Sequence, residues 1–149
     1  ARQRKLFLAQ LALAVRHDLP VIIHARGALE EIIQTLRRQP PLRGVVHSFS
    51  GSPQQAAQLQ ELGFLLGIGG PVTHARARRL RGIVAGMPIG HLLLETDAPD
   101  QPGAAHHGQR NEPAWLPEVL ETVAALRGEP AATVAAATRA NTRRLFGLD

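Results

Sequence analysis

Four short, nearly uninterrupted apolar runs recur along the chain, at Pro20 to His24, Gly44 to Phe49, Phe64 to Gly69 and His91 to Asp97, and a helical pattern follows each. Strands apolar on both faces that alternate with helices indicate a parallel sheet covered by helices, because parallel pairing needs long crossover connections. After the first run, Leu29, Ile32, Ile33 and Leu36 recur at i, i+3, i+4 and i+7 and share one helix face. After the second, Ser52 and Pro53 form an N-cap and first helical position, Ala56, Leu59 and Leu62 follow, and Gly63 ends the helix. The third leads into Leu80, Ile83 and Val84, set among Arg76, Arg78, Arg79 and Arg81. The fourth is followed by a loop rich in Gly, Pro and His from Pro99 to Pro113. Two helices come after it, one carrying Leu116, Val119, Leu120 and Val123, the other spanning Pro130 to Phe146. Arg4 to Val15 already reads as a helix with no capping residue before it. The expected class is α/β, one domain over residues 1–149.

Composition narrows the chemistry. At 149 residues and 44% apolar content the chain can bury a real core. It has no cysteine, so disulfides and zinc-thiolate sites are excluded, and an intracellular, cytoplasmic setting fits better than a secreted one. Any metal must sit on His, Asp or Glu. No run of about 18 apolar residues could span a bilayer, and the basic start, Ala1 to Lys5, has no signal-peptide core behind it. The net charge of +5 comes almost wholly from arginine and suits a polyanionic partner such as nucleic acid. A basic solvated surface is the commoner explanation of such a charge.

Three of the strands end in a ligand-type residue: His24 after Val-Ile-Ile, His47 after Val-Val, and Asp97 after Leu-Leu-Leu-Glu-Thr. The carboxyl ends of neighbouring parallel strands face one crevice, so these side chains converge although distant in sequence. Two imidazoles and a carboxylate gathered in this way suit a divalent metal. Taken singly, each histidine reads more simply as a polar cap on its strand. Glu95 is expected on the same side of its strand as Asp97, either orienting ligands or pairing with a base as a buried acid. Arg26, two residues past His24, is placed to meet a substrate phosphate, with a solvated loop arginine as the simpler alternative. His17, His74, His91, His106 and His107 read as surface residues, and Gly67, Gly69 and Gly70 end the third strand, where a missing side chain either lets a substrate backbone come close or, the favoured reading, lets the chain turn. No Walker-type loop, nucleophile elbow or Ser-His-Asp spacing is present.

Several blocks together resemble the TatD hydrolases, in particular their YjjV-like branch: Pro20-Val-Ile-Ile-His24-Ala-Arg26, Gly44-Val-Val-His47-Ser-Phe-Ser-Gly51, Leu65-Leu-Gly-Ile-Gly69 and Leu93-Leu-Glu-Thr-Asp97-Ala-Pro99. Asn111-Glu-Pro113 and Asn141-Thr-Arg-Arg-Leu-Phe146 fit as well. The resemblance implies a TIM-type (β/α) barrel with a dinuclear divalent-metal centre, magnesium first, with zinc or manganese as alternatives. It implies deoxyribonuclease activity, often 3′ to 5′ exonucleolytic, with DNA as substrate. By position His24 and His47 would bind one metal and Asp97 the other, with Asp97 also the general base.

Two departures stand out. The family carries a His-x-His pair on its first strand and a bridging Glu on its fourth, and this sequence starts after both. The family also tends to have Arg-Gly before Asn-Glu-Pro, where this loop reads His106-His-Gly-Gln-Arg110. The expectation is the C-terminal half of a barrel, inactive or nearly so alone, with an open sheet edge and uncovered apolar interior that favour aggregation or self-pairing. Two alternatives remain open: a metal hydrolase of another ester or amide, such as an aminoacyl ester on RNA, and a non-catalytic nucleic-acid-binding domain that uses its arginines.

Overall fold

The computed structural model describes residues 2–148; the reading of Ala1 lies outside the described residues. The chain runs α1 (Arg2–His17), β1 (Val21–His24), α2 (Leu29–Leu36), β2 (Gly44–His47), α3 (Pro53–Glu61), β3 (Phe64–Ile68), α4 (Arg78–Gly86), β4 (Leu92–Leu94), α5 (Leu116–Arg127) and α6 (Ala131–Phe146). The strands form one parallel sheet in the order β1-β2-β3-β4, so every connection steps to the adjacent strand. This is the architecture that the alternating runs predict. Among the described residues no helix is long and apolar enough to cross a membrane.

Local chemistry sets the element boundaries. Ser52 caps α3 in a full capping box: its hydroxyl accepts from Gln55 N at 3.1 Å while the Gln55 side chain accepts from Ser52 N at 3.0 Å. A cap of this kind contributes about 1 kcal/mol. Helices α5 and α6 stop at Gly128 and Gly147, both left-handed with φ of 64°. The second and fourth strands stop two or more residues short of their apolar runs. β2 ends at His47 because Ser48 turns left-handed (φ 50°), and His91 closes a 3-10 turn, leaving β4 only Leu92–Leu94. The fourth run still follows the sheet briefly, with Glu95 N donating to Ile68 O at 3.0 Å.

The sheet has two differently covered faces. Ile23, Val46, Phe64, Leu66, Ile68 and Leu92 point outward into the main core with Ile33 of α2, Leu59 of α3, Val84 of α4 and Val123 of α5. The inner face carries Val45, Leu65 and Leu93, and its floor is closed by Leu145 of α6, with Phe146 packed alongside. Ile22 pairs in register with Val45 on that inner face, yet it is 65% exposed. Leu6, Leu13 and Leu19 are exposed nearby, and Leu6, Phe7, Leu13 and Ile22 line a wide groove between α1 and β1. The uncovered apolar interior expected from the sequence is present at this edge.

Asn141 fixes α6 to the sheet. It is 3% exposed, and its amide donates to Ile89 O at 2.7 Å and Leu92 O at 2.8 Å, while Oδ1 accepts from Arg144 at 3.0 Å. Those carbonyls mark the entry to β4, so this side chain supplies partners to backbone groups that the short strand leaves free.

Candidate metal and active site

The register of β1 on β2 places His24 directly opposite His47, on the same face. Their rings lie 4.9 Å apart, tilted by 35°, with His24 Nδ1 only 2.7 Å from His47 Nε2. At that separation one nitrogen donates a proton and the other accepts it. The second nitrogen of His47, Nδ1, turns toward β4, 3.6 Å from Glu95 Oε1 and 3.9 Å from Asp97 Oδ1. His24, His47 and Asp97, expected to converge at the strand ends, therefore do so, with His47 in the middle and Glu95 on the same side as Asp97.

Glu95 is the most enclosed of the acids here, its side chain 15% exposed. Burial pushes its carboxyl above the usual carboxylate range, the Ser48 N–H and the neighbouring His47 pull it back, and Asp97 adds to the rise. Ser48 N donates to Glu95 Oε1 at 2.5 Å, so the left-handed turn that ends β2 also aims an amide at this acid. Room for Glu95 comes from Gly67. A Cβ there would run into the Glu95 carboxylate and approach His47 Cα to 3.0 Å. Gly67 lies inside β3, so the turn reading needs correction there, whereas Gly70 does open a 3-10 turn, Gly70–Thr73, with Gly69 before it. At Gly69 a Cβ would come within 3.2 Å of Glu95 O, and at Gly70 it would press on Gln101 O and Gly103 N. All three mark close approach of neighbouring chain.

Asp97 sits on a strained loop. Asp97 (φ 59°), Ser48 (φ 50°) and Gln101 (φ 52°) are all left-handed without being glycine, a conformation costing of order 1 kcal/mol or more each and typical of functional sites. Side-chain hydrogen bonds hold the loop. Gln101 Nε2 donates to Asp97 Oδ2 and lies 2.6 Å from Ser48 Oγ, so it spans the ends of β2 and the fourth run. Asn111, 5% exposed, donates to Thr96 O and Asp100 O, each at 2.6 Å, and its own N–H bonds Pro99 O at 2.9 Å. Gln101 and the clamp by Asn111 were not foreseen from the residues. Only the Asn-Glu-Pro block of the resemblance pointed to this segment.

The remaining histidines divide. His17 and His107 are exposed as expected, whereas His74, His91 and His106 are half-buried and structural. His91 Nδ1 lies 3.1 Å from Phe64 O, and His106 stacks on Trp115 at 3.6 Å while its Nε2 meets Glu118 Oε1 at 2.5 Å. Reading them as surface residues overlooked main-chain and acid partners distant in sequence.

A cleft of about 850 Å³ opens above the strand ends, with His24, His47, Gly67, Gly69 and Asp97 along its base and Arg26, Arg76, Arg78 and Arg79 around it. Two imidazole nitrogens that face each other at 2.7 Å, with a carboxylate alongside, are the neutral and anionic donors a divalent cation takes. They fit. Among the described residues no three such side chains are close enough to form a complete metal site. His24 and His47 lie side by side at the strand ends, with Asp97 next to them.

The family model described as TatD related DNase matches residues 1–147. An uncharacterised metal-dependent hydrolase of Escherichia coli K12, YjjV, is 45% identical, the match covering 99% of this chain and 57% of that protein. Its crystal structure superposes with a TM-score of 0.93 at 43% identity, over 99% of this chain and 57% of that one. A protein of Klebsiella pneumoniae described as the 3′-5′ ssDNA/RNA exonuclease TatD is 40% identical, with 99% of this chain and 59% of that protein covered. The chain thus spans somewhat under three fifths of the length of these relatives.

Proposed function

Because this chain belongs to the TatD family of metal-dependent hydrolases, we propose that in its complete form it is a divalent-metal phosphodiesterase that removes nucleotides from the 3′ end of DNA, in the cytoplasm. The observation that carries this reading is the convergence of His24, His47, Asp97 and Glu95 at the carboxyl ends of adjacent parallel strands, in a cleft edged by arginines. The relative described as an exonuclease on ssDNA and RNA makes single strands the substrate to try first. On this reading the four strands are part of a TIM-type barrel whose remaining ligands come from a longer protein, and residues 1–149 alone are inactive.

His24 and His47 would hold one metal ion, and Asp97 a second. Bound divalent ions supply Lewis acidity, lowering the pKa of a water and neutralising charge on the phosphoryl oxygens. Asp97 takes the proton of the attacking water as general base; its Oδ2 is held by Gln101, which leaves Oδ1 directed toward His47. Glu95, beside His47 Nδ1, orients that ring and fixes which of its nitrogens carries the proton. Arg26, exposed at the rim, is free to pair with a phosphate oxygen through its planar fork.

The test is an assay of the full-length protein on 5′-labelled single-stranded DNA and RNA with magnesium, manganese or zinc, beside an aminoacyl-ester substrate. His24→Ala and Asp97→Asn are expected to lower kcat/KM on DNA by at least about 100-fold while leaving the fold intact. Turnover of the ester alone would select the other hydrolase, and salt-dependent DNA binding without turnover would select the binding domain.

A further inference from the structure

Arg76 and Arg78 are left unexplained by the hydrolytic centre. The segment from Arg76 into α4 brings Arg76, Arg78, Arg79 and Arg81 together, and they divide by what they do. Arg81 is spent on the fold, donating to Val72 O at 2.9 Å, and Arg79 ties this segment to the β2–α3 loop by donating to Ser50 O at 3.0 Å. Arg76 and Arg78 are exposed, line the cleft, and make no hydrogen bond or ion pair among the described residues. No acid compensates them in the first turn of α4, where the helix dipole disfavours cations. The acids lining the cleft are Asp97 and Asp100, against the four arginines Arg26, Arg76, Arg78 and Arg79. Arg43 and Arg127, by contrast, are paired with the acids Asp18 and Glu129.

We propose that Arg76 and Arg78 form a phosphate track beside the hydrolytic centre, holding the backbone of the single strand next to the scissile bond. This rests on the nuclease reading and extends it. Two features support it: the cleft reaches from the His24–His47 pair to this arginine wall, and its volume of about 850 Å³ lies near the upper end of the roughly 300–1,000 Å³ typical of small-ligand pockets. Guanidinium forks suit phosphate oxygens and carry no base preference, so the track selects a strand over a mononucleotide ester without reading sequence.

The experiment is fluorescence anisotropy of labelled oligothymidylate on the full-length protein in EDTA, over a salt series. The wild type is compared with Arg76→Ala/Arg78→Ala and with Arg37→Ala/Arg38→Ala, which removes the same charge at the opposite end of the sheet. The track predicts that the Arg76/Arg78 pair weakens binding about tenfold and flattens the slope of log K against log salt by about 1.4, or two single-strand phosphates. The control pair is expected to change neither. The track is overturned by an unchanged slope in the Arg76/Arg78 variant, by an equal loss in the control, or by a wild type that does not bind. A wild type that binds through these arginines but cleaves no nucleic acid would sink the nuclease reading and leave the track standing.

Discussion

Gly67→Ala is the substitution whose effect follows most directly from the geometry, because the added methyl has one defined place to go. In the extended backbone of β3 alanine is conformationally acceptable, so any cost comes from contact. The methyl would displace the Glu95 carboxylate and press on His47 Cα at 3.0 Å. Overpacking a filled interior costs about 1–3 kcal/mol. Losing the hydrogen bond that Ser48 N donates to Glu95 costs about 0.5–1.5 kcal/mol. Reduced unfolded-state entropy returns about 0.4–1 kcal/mol. A net loss of about 0.5–4 kcal/mol results, centred on about 2, which in urea lowers the midpoint by roughly 0.8 M at a slope of about 3 kcal/mol/M. The decisive assay is a double-mutant cycle with Glu95→Ala in the metal-free protein. Removing the Glu95 side chain vacates the methyl's place, so the two changes should couple by at least about 1 kcal/mol, with the double variant more stable than the sum of the singles. Additivity within about 0.5 kcal/mol would refute the argument that Gly67 is there to admit Glu95.

Glu95→Gln should raise the metal-free protein's melting temperature at neutral pH. A carboxyl raised by burial contributes stability that is fully present below the usual carboxylate range and lost as pH climbs through its raised value, so the variant's advantage should grow over that window and vanish at acid pH. The same change should lower metal affinity or activity about 10–100-fold, read by calorimetry and by turnover. Asn111→Ala leaves Thr96 O and Asp100 O without their donor and should cost about 2–3 kcal/mol in urea while also lowering kcat, because the Asp97 loop loosens. Asn141→Ala should cost a similar amount with kcat on DNA within about twofold of wild type, since it anchors the entry of β4 far from the cleft.

The elements were legible where local rules decide them. The face of α2 through Ile32, Ile33 and Leu36 and the Ser52-Pro53 start of α3 are written in adjacent residues, and the structure has both. Strand ends were less legible, since apolar character continues past His47 to Phe49 although the pairing stops at Ser48, whose left-handed turn is stabilised by a carboxylate forty-seven residues away. The positions of His24, His47 and Asp97 could be foreseen because strand polarity in a parallel sheet fixes where each strand ends. The roles of Gly67, Gln101, Asn111 and Asn141 could not. Each depends on a partner from another element, and a glycine that makes space for an acid looks, in one dimension, like a glycine that makes a turn.

The pairing of His24 with His47 also makes the site a gauge of folding accuracy. The two rings meet because β1 and β2 are aligned residue for residue from Val21 with Gly44 to His24 with His47. A slip of one residue would swing one imidazole to the helical side of the sheet and bury it among aliphatic side chains. If the proposed metal site forms, a cation that needs both nitrogens would grip only the correctly aligned sheet, and its binding energy would disfavour the slipped pairing. On the proposed function, ion uptake and strand alignment would then be a single linked equilibrium, in which the same two side chains that serve the chemistry also proofread the fold.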